Sequence, residues 1–187
     1  MDLNTNLSPD GQAKAGTNPA SGISSEQVGK ACGINPPAIW PLVVDALRAF
    51  GIDSLNVQIA AAATCAVECN FKPICERLSD PKRQPKVFKA QSRYWPWFGR
   101  GLIQLTWEAN YRRAGAALHI DLISHPELAL EPKTAARILA WFFVENQVDD
   151  AAEARDWKLV RKRVNGGLNG WDRFYDVVLR LLEEVEG

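Results

Sequence analysis

The sequence predicts a mainly α-helical fold with one small β element. Three observations carry this. Apolar residues recur at helical spacing in several segments separated by glycine and proline breaks. One of these segments, around Ile59–Ala60–Ala61–Ala62–Ala63, is small and apolar nearly all round, as expected of a helix at the centre of a core. Strand character is confined to residues 93–106.

The elements follow in chain order. Residues 1–23 are rich in Asn, Gly, Ser, Pro and Ala without periodicity, so a mobile tail is expected ahead of a single domain over 24–187. Ser24 and Gln27 form a capping-box pattern for a short helix that stops at Gly33. After Asn35-Pro36-Pro37, a helix is expected from about 38 to 50, with Pro41 in its first turn and Gly51 at its end. Its inward residues are predicted to be Leu42, Ala46, Leu47 and Phe50. Asp53 or Ser54 caps the alanine-rich helix that runs from Leu55 to about Cys69, and Pro73 ends it. Prolines 81, 85 and 96 make 77–98 read as loop. Further helices are expected near 107–117, 133–147, 156–164 and 171–184, with a loop at His125-Pro126-Glu127 and a tight turn at 165–170.

A chain of 187 residues buries a sizeable core without disulfides or metals. Lys+Arg and Asp+Glu both number 22, so the formal charge is zero, which argues against a nucleic-acid binder. The cations are nevertheless uneven. Lys82, Arg83, Lys86, Lys89, Arg93 and Arg100 gather before and within the β element, and Arg155–Arg163 forms a second group. Solvated helix faces explain such runs, and so does a face that attracts an anionic polymer. No apolar stretch approaches the ~20 residues of a membrane span, so no membrane insertion is expected. The N-terminus lacks a basic region followed by an apolar one, so synthesis in the cytoplasm without a secretory signal is expected. Cys32, Cys65, Cys69 and Cys75 include no C-x-x-C pair, and the two histidines are distant in sequence. Buried reduced thiols are expected, with no metal and no cofactor. A monomer is expected.

The stretch GRGLIQLTWEANY, residues 99–111, is the chemical centre of the chain. Gly99 and Gly101 allow close approach of backbone to a ligand. In an extended segment Gln104 and Thr106 share one side, and Thr106 is placed to cap the following helix. The result is a ledge of hydrogen-bonding groups on an apolar support. A plain strand, turn and capped helix would have the same pattern. Tyr94, Trp95, Trp97, Phe98 and Trp107 crowd its approach, either as core filler or as a platform for pyranose rings.

Glu68 and Glu76 are the carboxylates to weigh. On one unbroken helix they would stand about 12 Å apart along the axis. Pro73 breaks that helix and lets Glu76 fold back. Inverting glycosidases need a carboxylic acid and a carboxylate base roughly 6.5–9.5 Å apart, with a water beside the base. Glu68 closes an apolar helix, an environment that disfavours carboxylate charge, whereas Glu76 precedes Arg77 in a polar loop. Two surface glutamates are the competing reading.

GRGLIQLT followed by Asn110-Tyr111, together with AVECNFKPICE, resembles the catalytic domain of glycoside hydrolase family 19, the group of chitinases and phage endolysins. The resemblance covers about residues 38–182. It implies an α+β lysozyme-like fold, bilobed and helical, with the small β element beside an active-site cleft. It also implies Glu68 as general acid, Glu76 as general base and Thr106 as the hydroxyl that helps hold the attacking water. Gln104, Asn110 and Tyr111 match the sugar-contacting ledge, Asn165 matches the late Asn-Gly-Gly, and Arg173 resembles the Arg of the following Asp-Arg. Tyr94 and Trp97 complete the expected substrate contacts. The family usually has His before the first Glu and small residues after it, where this chain has Val67 and Cys69-Asn70. The implied function is an endolysin-type hydrolase acting on the glycan strands of bacterial peptidoglycan, reaching the wall once another agent has permeabilised the membrane. A chitinase, a lytic transglycosylase and a non-catalytic glycan-binding or virion protein remain the alternatives.

Overall fold

The computed structural model describes residues 22–77 and 82–187. The expected tail lies outside them except for Gly22 and Ile23. Ile23 is 3% exposed, accepts from the Trp40 indole at 2.7 Å and donates to Gln58 Oε1 at 2.9 Å, so it is part of the core.

Helix α1, Ser25–Cys32, opens with the predicted capping box and ends on left-handed Gly33. Helix α2, Trp40–Ala49, carries Pro41 in its first turn. Its buried face is Trp40, Val43, Ala46 and Leu47, whereas the expected Leu42 and Phe50 are half-buried at its edge. Helix α3, Leu55–Glu68, is capped by Ser54, and every residue from Val57 to Ala66 is buried. Small side chains let its neighbours approach closely, which makes it the axis of the fold.

A short strand β1, Ile74–Cys75, follows a sharp turn. Helix α4, Pro85–Gln91, continues into a 3-10 turn at Ser92–Tyr94 where loop was expected. Pro85 at the first helical position explains the difference, since proline there needs no donor and presets φ. Strand β2, Arg100–Gly101, pairs antiparallel with β1, with Ile74 opposite Gly101 and Cys75 opposite Arg100.

Helix α5, Glu108–Leu118, is followed by a 3-10 turn at Pro126–Leu130 and by helix α6, Pro132–Glu145. Ala136, Leu139, Ala140 and Phe143 of α6 are buried as the spacing predicts. A short helix α7, Val148–Glu153, was not expected from the sequence. Helix α8, Trp157–Asn165, is capped by Asp156, and α9, Trp171–Glu186, closes the described chain.

Helix α3 packs against α9, α7 and α8, while α2 and α5 pack on α6. Strand β2 lies on α6 and the Pro126–Leu130 turn. Lys30–Glu184 ties α1 to α9, and Arg155–Glu186 ties the end of α7 to α9 at 2.5 Å. The fold is thus a helical body with a small β arm, matching the lysozyme-like architecture expected. Among the described residues, no helix is long and apolar enough to cross a membrane.

Candidate active site

The site is built on the chain reversal between α3 and β1. Glu68 is the last residue of α3, and Asn70 and Phe71 that follow have φ of 49° and 60°. Left-handed conformations cost non-glycine residues free energy and persist only where the surroundings impose them. Here Phe71 is buried edge-on against Trp40, and Asn70 Oδ1 accepts from Arg173 Nη2 at 3.1 Å. The turn sends the chain back through β1 to Glu76. A groove of about 660 Å³, lined by Pro36, Leu42, Phe71 and Pro73 among others, opens beside Asn70.

Glu68 does not sit among apolar groups alone. Its Oε1 meets Arg161 Nη1 at 2.5 Å, with side-chain exposures of 14% and 2%. Arg161 is anchored from behind, since Nε and Nη2 both donate to Asn169 O at 2.7 and 2.5 Å. The turn at 166–170 is therefore clasped to the end of α3. Gly170, at φ +72°, passes so close that a Cβ there would fall 2.7 Å from Val67 Cγ1. Asn165 is exposed at the last position of α8, where left-handed Gly166 turns the chain. Arg161 is a contact of Glu68 that the sequence reading missed, as Gln91 is of Glu76. Trp157, Val160, Arg161 and Val164 share one helical face, so a cation on that otherwise apolar stripe was the available signal.

Glu76 is held differently. Its Oε1 accepts from Gln91 Nε2 at 2.8 Å and from the Tyr94 hydroxyl at 3.0 Å, and its Oε2 from Gly99 N–H at 3.3 Å. Its own N–H donates to Gly99 O at 2.7 Å. These donors are neutral, so they orient the carboxylate without pairing its charge. Helix α4 and the 3-10 turn that continues it, where loop was expected, supply one each.

The ledge is a tight hairpin rather than an extended segment. Arg100 and Leu105 exchange both backbone bonds, at 3.2 and 2.9 Å, and Gln104 takes φ +53° at the corner. Gly101, at φ +80°, lies where a Cβ would come within 2.8 Å of Ala129 O, so only glycine fits. Gln104 Nε2 donates to Ile74 O and Gly101 O, both at 3.1 Å, which locks the hairpin to β1. Thr106 does not cap α5. Trp107 occupies the cap position without a side-chain bond, and the Thr106 hydroxyl donates to Gln104 O at 2.8 Å. The helix starts at Glu108, one residue later than expected, which leaves Thr106 outside the cap position. With its proton so engaged, Thr106 Oγ1 keeps acceptor capacity for a water. Gly99 faces both groups, since a Cβ on it would meet Gln104 Oε1 at 2.9 Å and Thr106 Oγ1 at 3.4 Å. Glu76, Gly99, Gln104 and Thr106 therefore form one cluster. Gly99→Ala is expected to lower kcat/KM about tenfold with little change in Tm, because the methyl displaces a side-chain tip rather than backbone; parallel kinetics and thermal unfolding check this.

Asn110 Nδ2 donates to Thr106 O at 2.8 Å, which places it behind the ledge. Tyr111 corrects the sequence reading. It is 0% exposed, donating to Phe98 O at 2.6 Å and accepting from Arg100 Nη1 at 3.1 Å, so it braces the aromatic loop instead of meeting a sugar. Tyr94 has its hydroxyl on Glu76, and Trp97 is half-buried against the core. The exposed rings are Trp95 at 58% and Trp107 at 48%, the latter edge-on to Tyr94 at 5.1 Å.

Burial and the Glu76 carboxylate push the Tyr94 phenol up to about 12, and burial pushes Tyr111 up to about 12 against the opposing Arg100 guanidinium. Both groups stay protonated in the folded chain above pH 10, where the unfolded chain releases those protons. Their contribution to stability is full below pH 10 and falls between 10 and 12. A denaturation midpoint that declines over that window, and declines less in Tyr111→Phe, is the expected result.

The cysteines are free thiols. Cys65 and Cys69 are buried and Cys32 is half-buried, but Cys75 is exposed on β1, against expectation, because a two-residue strand has no cover on that face. Burial pushes the Cys32 thiol up to about 11. Among the described residues, no group of His, Cys, Asp and Glu is arranged to hold a metal ion.

Comparison with known proteins was made on sequence and on fold. Residues 64–157 match the family model of glycoside hydrolase family 19, described as chitinase class I. Chitinase 11 of Oryza sativa subsp. japonica is 45% identical over 53 residues, which are 28% of this chain and 21% of that protein. The inactive chitinase-like protein 1 of Hevea brasiliensis is 28% identical over 99 residues, 41% of this chain and 32% of that one. The matched segments thus span about a fifth to a third of these relatives. Chitinase C from Streptomyces griseus HUT6037 shares the fold with a TM-score of 0.65 at 17% identity, over 93% of this chain and 80% of that one. A bacterial family 19 chitinase superposes with a TM-score of 0.58 at 19% identity, over 85% of this chain and 94% of its own.

Proposed function

The chain belongs to glycoside hydrolase family 19, the class I chitinases, and from that premise we propose that it hydrolyses β-1,4 bonds of bacterial peptidoglycan strands by an inverting acid–base mechanism. The observation that carries the reading is the contrast between the two carboxylates at the ends of one strained turn. Glu68 rests on a guanidinium, while Glu76 is oriented by neutral donors beside a hydroxyl with acceptor capacity to spare.

In this mechanism Glu68 takes up a proton from solvent before each turnover, gives it to the leaving glycosidic oxygen, and returns to the carboxylate that Arg161 pairs. Water bound between Glu76 and Thr106 Oγ1 attacks the anomeric carbon from the opposite face as Glu76 takes its proton. Gln91, Tyr94 and the Gly99 N–H keep the Glu76 oxygens aimed. Gln104, Asn165 and Arg173 are the side chains proposed to meet the strand, Arg173 beside Asn70, which it bonds. In the endolysin reading the enzyme, made in the cytoplasm, acts on the wall once the membrane has been opened.

Chitin is the second reading, favoured by the chitinase names of the relatives. The test is digestion of purified sacculi and of chito-oligosaccharides, with mass spectrometry and anomer-resolved analysis of the products. Hydrated muropeptides released as the α-anomer are expected. Anhydro ends would identify a transglycosylase, release from chito-oligosaccharides alone would identify a chitinase, and binding without cleavage would identify an inactive glycan binder.

A further inference from the structure

Residues 82–107 contain Lys82, Arg83, Lys86, Lys89, Arg93 and Arg100 and no Asp or Glu, in a chain whose formal charge is zero. Arg100 is consumed internally, bonding Pro96 O and Tyr111. Along α4 and the 3-10 turn that continues it, positions 86, 89 and 93 fall on one face and positions 91 and 94 on another. The second face is fixed by contact, since Gln91 and Tyr94 both donate to Glu76 Oε1. Lys86, Lys89 and Arg93 are exposed on the first, and no carboxylate among the described residues forms an ion pair with them. The element that orients the proposed base therefore carries three free cations on its outer side.

A helix is ~10 Å across with its side chains, so charges on its outer face lie within reach of substituents projecting from a polymer that passes Glu76. Neutral chitin offers such cations hydrogen-bond acceptors but no opposing charge. Peptidoglycan carries peptide stems with free carboxylates at regular intervals along the strand. We propose that Lys86, Lys89 and Arg93 bind the carboxylates of these stems and so select stem-bearing glycan over neutral polymers. This rests on the reading of the cleft as a glycan-holding site. The ammonium groups of Lys86 and Lys89 suit the purpose, because stems vary in position and a point charge tolerates that variation, and the Arg93 guanidinium adds a fork that matches a carboxylate.

The test compares the chain carrying Glu68→Gln, which retains bound glycan, with the same chain also carrying Lys86→Gln, Lys89→Gln and Arg93→Gln. Co-sedimentation with purified sacculi at low ionic strength is expected to be about tenfold weaker for the multiply substituted chain. The gap closes at about 0.5 M salt, where screening is strong. In the otherwise wild-type chain the three substitutions leave hydrolysis of chito-oligosaccharides unchanged. Equal sacculus binding by the two proteins overturns the proposal. So does an equal loss on chito-oligosaccharides, which would mean general damage to the cleft, or binding to phosphatidylglycerol vesicles as tight as to sacculi, which would mark a membrane-facing patch. A wild-type chain that cuts no glycan, yet loses sacculus binding with the three charges, would end the hydrolase reading and support the stem site.

Discussion

Replacing Glu76 with Gln is expected to lower turnover on sacculi about a thousandfold while leaving Tm nearly unchanged. The amide keeps the shape of the carboxylate and can still accept from Gln91 and Tyr94 through its oxygen. What it loses is the ability to take a proton from water. Its NH2 also meets Gly99 N–H, a donor facing a donor, which is a small local cost. Steady-state kinetics with circular dichroism and thermal unfolding separate the two effects. Turnover within about threefold of wild type would remove Glu76 from the mechanism.

Arg161→Leu is expected to cost about 3–5 kcal/mol, because it strands Glu68 and the Asn169 carbonyl together. For a domain of this size that corresponds to a Tm lower by roughly 10 °C. Activity falls with it, since the turn at 166–170 loses its clasp on the end of α3. Arg161→Lys is expected to recover part of the stability but not the fork geometry. The double variant Glu68→Leu, Arg161→Leu is the decisive control. An apolar pair should regain most of the lost stability without regaining activity. A double variant no more stable than Arg161→Leu would mean that the pair does not account for the loss.

Most helices were legible because local rules suffice for them. Ser24 with Gln27, Ser54 and Asp156 are caps that act within one turn, and Gly33 and Gly166 end helices by conformation alone. The alanine-rich centre of α3 announced its burial through composition. Elements that need distant partners were hidden. Strand β1 is two residues long and exists only because β2 lies beside it, and α4 is too short for periodicity to speak. Thr106 looked like a cap because Thr often is one, but the helix begins at Glu108 and Trp107, at φ 78°, takes the cap position.

The candidate site divides along the same line. Residue type drew attention to Glu68, Glu76, Gln104 and Thr106, and the resemblance of their motifs to family 19 gave them the expected roles of acid, base, sugar contact and water-holding hydroxyl. Tertiary structure alone decided their surroundings. It brought Arg161 to Glu68 across 93 positions, folded Gln91 and Tyr94 back onto Glu76, and enclosed Tyr111. Chemistry is a property of the side chain and can be read from a string of letters. Charge environment is a property of neighbours in space, and a chain acquires those neighbours only by folding.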